Sequence, residues 1–290
     1  MDERQLTAWL LELIRRTSTD LPADVEAALV AARDREEGRA RSTLDWILKN
    51  CAEARARSMP ICQDTGTLIL HVEHGPDVGP WLIERAARAA AAEATRQSFL
   101  RPNAVSPVSG KNSGDNTGLG APFVTCHGVE EPGALRASLV LKGGGCENVG
   151  IQYSLPDDRL GAGRDWRGVK ACILDAALQA QGFGCAPGVL GVGVGGDRAT
   201  SYLESKAQLF RRVDEVNPDP ELAAVEAELL GKVNQLGVGP MGFGGQTTVF
   251  GVKLGLRHRV PASFFVSVSY MCWAYRRRSL RLERGQPVYG

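Results

Sequence analysis

The chain has 290 residues, 43% of them hydrophobic, with 34 basic against 33 acidic residues and a net charge of +1. That length can bury a sizeable core, as one large domain or two closely joined lobes. The balanced charge and the 6% aromatic content argue against nucleic acid or an anionic membrane as the main partner.

The opening MDERQLTAWLLELIRR places acids and an arginine ahead of a short apolar stretch, unlike the basic start and longer apolar run of a signal peptide. No window approaches the roughly 18 apolar residues of a membrane span. The expectation is a soluble cytoplasmic protein.

In chain order, the first ~57 residues read as helical. LTAWLLELIRR and PADVEAALVAARDREE carry apolar residues at helical spacing, the second opened by a proline. STLDWILKNCAEARAR gives a third helix, with Ser42 as its expected N-cap. TGTLILHVEHG then reads as a strand, and PWLIERAARAAAAEATRQSFL as an alanine-rich helix opened by Pro80. Residues 101–120 are crowded with Pro, Gly, Asn and Ser and read as loop. LRASLVLKGGGCENVG is a strand running into three glycines, and WRGVKACILDAALQAQG a helix closed by Gly182. PGVLGVGVGG is a glycine-laced strand, followed by a helix from about Thr200 and another over DPELAAVEAELLGKVNQLG. TTVFGVKLGLRH and ASFFVSVSYMCW close the fold as strands, and RRRSLRLERG reads as a solvated tail or a subunit contact. The alternation predicts an α/β or mixed α+β fold: a helical segment over about 1–57, then an α/β core over about 58–280.

The 34 glycines lie well above the usual ~7% and gather at strand ends. Such loops can bring backbone amides to an anion or a cluster, or can simply be tight turns. The glycines of GVLGVGVGG lie inside a strand rather than at a strand-to-helix turn, and GxxxxGK[ST] is absent, so a nucleotide site has little support.

The seven cysteines are Cys51, Cys62, Cys126, Cys146, Cys172, Cys185 and Cys272. An odd, scattered set without CxxC does not read as a disulfide framework. Several are expected to be small buried hydrophobes, and a minority metal or cluster ligands. Cys62, Cys185 and Cys272 share one trait: each sits at the end of an expected element, where site loops gather. Three such thiolates can hold three irons of a [4Fe–4S] cluster and leave the fourth open as a Lewis acid. Taken by spacing alone, buried structural cysteines remain the other reading.

The words around them narrow this. PICQDTG, GKNSGDNTG, KGGGCEN, GCAPGVLGVGVGGDRATS, GPMGFGGQTTVFGV and CWAYRR occur in this order. Over about residues 10–280 the chain resembles the iron–sulfur hydro-lyases: class I fumarase, and the α subunit of two-subunit fumarases and of L(+)-tartrate dehydratase. The combination of CQDTG with KGGG is the specific part.

The resemblance implies an α-type catalytic domain spanning 1–290, with Cys62, Cys185 and Cys272 as ligands of a [4Fe–4S] cluster that has one open iron. It implies that Gln63 and Asp64 line the substrate pocket, that Arg101 binds a substrate carboxylate, and that the Gly145 backbone lies close to substrate. Asp64 would orient the reacting water or hydroxyl, or shuttle its proton. Cys51, Cys126 and Cys172 match nothing functional and are expected in the core. Cys146 is expected near the site without being a ligand. His71, His74 and His127 read as ordinary strand or surface histidines.

Two departures stand out. Val260 occupies the place of the family's pocket histidine, and His258 lies two residues earlier, either reaching the pocket through a bulge or leaving that contact unmade. The chain also stops at Gly290, where α subunits of the split enzymes stop, which implies a separate β subunit and an α2β2 assembly. The expected reaction is reversible hydration of fumarate to L-malate. The alternatives are L(+)-tartrate dehydration to oxaloacetate, and a non-catalytic cluster-binding subunit.

Overall fold

A computed structural model describes residues 1–290 as eight α-helices and nine β-strands in two mixed sheets, the α/β class expected. The chain divides into two compact units. One comprises Met1–Pro22, Lys49–Gly144 and Arg276–Gly290; the other comprises Ala23–Leu48 and Gly145–Tyr275. No helix is long and apolar enough to cross a membrane.

The first unit contains α1 (Glu3–Thr19), β1 (Thr67–His74), α4 (Pro80–Arg96), β2 (Phe123–Gly128), β3 (Leu135–Lys142), β8 (Arg277–Glu283) and β9 (Gln286–Tyr289). Its sheet runs β2-β1-β3-β8-β9, parallel only at β1–β2. The period-2 pattern of β1 and β3 turns Leu68, Leu70, Leu139 and Leu141 to a core that also takes Leu13 of α1 and Ile83 of α4. Alanines at 86, 87, 90, 91 and 94 make the buried stripe of α4, which lets this helix lie close.

Three expectations fail here. The arginine-rich end is not a solvated tail: residues 277–281 pair with β3 and 280–283 with β9, because Leu280 alternates into the core. Arg278 reaches Asp20 at 2.6 Å, and Asp20 also accepts from Arg55 at 2.5 Å. Strand β2 has no counterpart among the predicted elements, its sequence being short and half-exposed. Ser42 does not cap α3 (Gly38–Arg57); the helix begins four residues earlier, and Ser42 Oγ donates back to the Gly38 carbonyl at 3.0 Å.

The second unit contains α2 (Ala23–Arg35), α5 (Gly144–Asn148, from its second residue), β4 (Ile151–Ser154), α6 (Trp166–Ala180), β5 (Gly188–Gly195), α7 (Arg198–Ala207), α8 (Pro220–Asn234), β6 (Val249–Arg257) and β7 (Phe265–Met271). Its sheet runs β4-β7-β5-β6, with β5 and β6 parallel. Every residue of β5 is buried. Gly191 and Gly193 are glycine because α7 lies directly on the strand: a Cβ there would collide with the carbonyls of Ser205 and Ser201. Ser201 and Ser205 of α7 in turn hydrogen-bond Ser267 and Ser269 of β7 at 2.8 and 2.7 Å. The glycines of GVLGVGVGG thus serve helix packing. Helix α7 starts at Arg198, with Asp197 as its N-cap in a capping box with Thr200.

Candidate active site

In the first unit, Cys62, Gln63 and Asp64 lie on the turn that leads into β1, and this turn is tethered on both sides. Upstream, the Ile61 N–H donates to the Ser18 carbonyl at 3.0 Å, and Asn50 Nδ2 donates to the Ile61 carbonyl at 2.8 Å. Downstream, Thr65 is completely buried, and its Oγ1 accepts from the Arg101 N–H and from Asn103 Nδ2, both at 3.0 Å. The loop over residues 101–116 is therefore fastened to the CQDTG turn.

Asn116 supplies the second fastening. Its side chain accepts from the Asn103 N–H at 2.8 Å and donates to the Arg101 carbonyl at 2.7 Å and Thr95 Oγ1 at 2.8 Å. It is 4% exposed and adopts φ +61°, which asparagine tolerates better than most residues. Arg101 is held by its backbone and presents an exposed side chain beside the turn.

The same turn meets the KGGG segment. Gly66 has φ +82°, and a Cβ there would stand 2.6 Å from the Lys142 carbonyl carbon. A Cβ on Gly143 would stand 2.7 Å from Asp64 Oδ2, so the carboxylate lies directly against that backbone. Cys62 and Asp64 are half-buried and Gln63 is exposed, so all three are accessible. One unexpected cation is close in sequence and fold. Arg276, whose carbonyl accepts from the Leu141 N–H at 3.0 Å, is 1% exposed, and its Nε and Nη1 have no protein partner. A buried guanidinium in that state calls for an anion.

In the second unit, Cys185 and Cys272 come together at one end of the four-stranded sheet. Cys185 precedes β5 and Cys272 follows β7, and these strands are antiparallel neighbours with Val189 opposite Met271. The Trp273 N–H donates to the Cys185 carbonyl at 3.1 Å, joining the two loops. Cys185 itself is left-handed (φ +55°, ψ +62°), a conformation that costs a non-glycine residue about 1–2 kcal/mol.

Three further segments complete this end. Gly145 is exposed, its added Cβ 3.8 Å from the Phe183 carbonyl, and Cys146 beside it is buried. The Met241 N–H donates to the Ala186 carbonyl at 2.8 Å, bringing in the GPMGFGG loop. Buried Glu36 grips that loop, accepting from the N–H groups of Gln246 and Thr247 at 2.9 and 2.6 Å. Tyr270, 2% exposed, lies over both glycines that flank Cys185: added Cβ atoms on Gly184 and Gly188 would stand 2.6 Å from its ring carbons. Burial raises the phenol pKa well above its ordinary value, and the neighbouring thiols of Cys272, Cys146 and Cys185 push it the same way. Its hydroxyl has no partner.

The remaining expected residues divide clearly. Cys51 and Cys172 are core residues, and Cys126 packs half-buried against the core of the first unit. Burial, helped by Asp157 and Asp175, pushes the Cys172 thiol up to about 12. His71 and His127 face each other on strands with ring centroids 5.1 Å apart. His258 and Val260 lie in the exposed loop after β6, whose end pairs with the C-terminal end of β5, Gly195 opposite Arg257. That is a strand's length, roughly 20 Å, from Cys185. There His258 lines an open cleft of about 590 Å³ with Arg164, Trp166, Arg257, Arg259 and Phe264. Of the two outcomes left open for His258, a bulge into the cysteine end is ruled out within this unit.

Sequence reading found the cysteines, Gln63, Asp64, Arg101 and Gly145 but missed Thr65, Asn116, Glu36, Tyr270 and Arg276. The words CQDTG, SGDNTG and CWAYRR contained Thr65, Asn116 and Arg276; nothing in the sequence marked Glu36 or Tyr270.

A family model described as Fumarate hydratase (Fumerase) matches residues 7–281. A Geobacillus stearothermophilus protein named "Putative fumarate hydratase class I" is 47% identical over 279 residues, which cover 94% of this chain and 54% of that protein. This chain thus spans about half the length of that relative. "Putative L(+)-tartrate dehydratase subunit alpha" of Methanocaldococcus jannaschii is 32% identical over 283 residues, covering 94% of this chain and 96% of the relative. "L(+)-tartrate dehydratase subunit alpha" of Escherichia coli (strain UTI89 / UPEC) is 30% identical over 283 residues, covering 96% and 91%.

Proposed function

Because the chain belongs to the fumarate hydratase (Fumerase) family, a family of hydro-lyases, we propose that it is the α-type catalytic part of a [4Fe–4S]-dependent hydro-lyase. Residues 1–290 act as one catalytic domain, and the reaction is reversible hydration of fumarate to L-malate. The observation that carries this reading is the bond from the Trp273 N–H to the Cys185 carbonyl, which holds two of the three implied ligand loops together beside a buried hydroxyl that lacks a partner.

The donor chemistry of the implied ligands suits the cluster, and two of the three lie on loops joined by a hydrogen bond. Soft thiolates suit iron–sulfur ligation, and the orphaned Tyr270 hydroxyl is unexplained by protein atoms alone. Cys62, Cys185 and Cys272 would hold the cluster, which when bound supplies an iron with an open position and Lewis-acid character.

The chain's own side chains do the rest. Removing a proton α to a carboxylate builds a second negative charge on the substrate, so fixed cations stabilise the transition state more than the ground state. Arg101 clamps one carboxylate with two parallel N–H donors, and its backbone tethers to Thr65 and Asn116 hold it in register with Asp64. Arg276 offers a second guanidinium for a second anionic group. Asp64, set against Gly143, takes or returns the proton of the reacting hydroxyl. Gln63 orients that hydroxyl, and Gly145 lets the substrate approach the backbone closely.

Fumarate is favoured by the higher identity to the Geobacillus protein. L(+)-tartrate is the second reading, supported by Cys146 after the three glycines and by two relatives with that name. A separate β subunit in an α2β2 assembly is proposed because those relatives are called "subunit alpha" and are matched over 96% and 91% of their lengths. The proposed compartment is the cytoplasm, where an oxygen-sensitive cluster and seven free thiols are protected.

Anaerobic reconstitution with iron and sulfide, with and without a co-expressed β-type chain, tests this. The expected result is a brown, air-sensitive protein that hydrates fumarate once the partner is present. Cys62→Ser, Cys185→Ser and Cys272→Ser should each lose cluster and turnover, while Cys172→Ser keeps both. A protein that takes up no iron, or a Cys172→Ser variant as defective as the others, overturns the assignment. Cluster without turnover of either substrate leaves the non-catalytic subunit.

A further inference from the structure

Tyr270 belongs to neither the ligand set nor the substrate contacts, yet its surroundings are specific. The residue lies on β7 opposite Leu190 of β5 and is 2% exposed. Its hydroxyl makes no hydrogen bond to protein, whereas the buried serines Ser267 and Ser269 on the same strand are bonded to α7. Phenol hydroxyls buried this deeply nearly always find a partner, and stranding one costs about 1–3 kcal/mol. Cys272 follows it by two residues, and Cys185 lies between the two glycines that its ring touches. Glycine on both sides of Cys185 lets the ring lie there, since a Cβ at Gly184 or Gly188 would overlap it.

We propose that Tyr270 is a positioning residue whose O–H donates a hydrogen bond to a sulfur of the group held by Cys185 and Cys272. Resting on the iron–sulfur reading above, this adds an assignment that the ligand set does not contain. Its physical content is twofold. The bond satisfies a donor that protein atoms leave stranded, and it stabilises negative charge on sulfur. Hydrogen bonds to cluster sulfurs are among the factors that set reduction potential, and stabilising the more negative reduced form raises it.

The test compares wild type, Tyr270→Phe and Tyr153→Phe, each with and without reconstituted cluster. Tyr153 is a control in the same sheet, its hydroxyl donating to Asp175 at 2.7 Å. Tyr270→Phe should load the same iron and sulfide per chain as wild type. Its midpoint potential should fall by about the 59 mV that a tenfold change in a one-electron equilibrium represents. Without cluster, its melting temperature should equal or exceed that of wild type, because the variant removes an unpaired buried hydroxyl. Tyr153→Phe should lower melting temperature with and without cluster and leave the potential unchanged.

Equal potentials in loaded wild type and Tyr270→Phe would overturn the proposal while leaving the cluster assignment intact. A cluster-free Tyr270→Phe that melts well below wild type would overturn it too, since the hydroxyl would then have a structural role. Failure of wild type itself to bind iron and sulfide would overturn the cluster reading and the Tyr270 assignment with it.

Discussion

Around Cys62 the backbone is held by side chains; around Cys185 and Cys272 it is held by the absence of them. In the first unit, the side chains of Asn50, Thr65 and Asn116 hydrogen-bond the backbone of the turn and its neighbouring loop, and the Ser18 carbonyl adds one backbone bond. In the second, Gly184 and Gly188 let an aromatic ring lie over the backbone, and Gly182 and Gly242 let two loops touch, an added Cβ at either standing 2.9 Å from the other's Cα. These devices fail differently. A lost hydrogen bond costs about 1 kcal/mol and the loop relaxes. An extra methyl group where backbone already sits has no low-cost relaxation.

The sharpest way to break the comparison is to add one carbon at each of two glycines of the second unit, one tightly packed and one open. A Cβ on Gly188 would stand 2.5 Å from the Met271 carbonyl oxygen as well as on the Tyr270 ring, and neither can swing away. Gly188→Ala should cost about 3 kcal/mol or more, at the upper end for overpacking, and be read as a lowered urea midpoint. Gly145→Ala, with its nearest neighbour at 3.8 Å, should unfold like wild type and, on the proposed function, raise KM. Equal urea midpoints for Gly188→Ala and wild type would remove the claim that this end is held by close contact.

The same contrast explains how much could be read from sequence. Cysteine, glycine and a carboxylate crowded at a strand start are chemically conspicuous one at a time, so CQDTG and KGGG stood out. Tethers are pairs, and pairs are invisible in one sequence. Thr65 and Arg101 are 36 positions apart, and Glu36 and Thr247 are 211 apart. Tyr270 looked like one more apolar residue of a strand, because its burial among thiols depends on which strand lies beside it. The arginine-rich end misled because charge was weighed above alternation; Leu280 at the right parity was enough to build β8.

A second, smaller break targets the tethers. Thr65→Val keeps shape and removes the oxygen that accepts from the Arg101 N–H and Asn103 Nδ2. The cost should be about 1–3 kcal/mol, set by the stranded donors rather than by lost packing. Because Arg101 loses its register with Asp64, kcat/KM should fall by more than the melting temperature suggests. Asn116→Asp should do at least as much harm, since a buried carboxylate would face the Arg101 carbonyl and Thr95 Oγ1 to which the amide now donates. If Thr65→Val leaves kcat/KM at wild-type level, the tether positions nothing that matters.

The smallest effect separates the two halves by acid. Glu12 on α1 accepts from Arg15 Nε at 2.7 Å, and Arg15 Nη1 donates onward to Ser58 Oγ at 3.0 Å, just ahead of Cys62. The Arg15 hydrogen bond, against opposing partial burial and with help from Arg16, holds the Glu12 carboxyl down to about 2 from its ordinary 4.5. A carboxyl depressed in the folded state contributes stability above its unfolded pKa and loses it as pH falls toward the folded one. This clamp should therefore act fully at pH 7, weaken from about pH 4.5 downward and vanish near pH 2. Being partly exposed at about a third of each side chain, it is worth about 1 kcal/mol or less. Glu12→Gln should accordingly speed hydrogen exchange over residues 58–66 at pH 7 and leave the rate unchanged near pH 2. Residues 184–190, held by buried contact with no carboxylate in it, should exchange alike in both proteins at both pH values. Acid-sensitive exchange at 184–190 that Glu12→Gln also alters would mean the two halves are not held by separate devices.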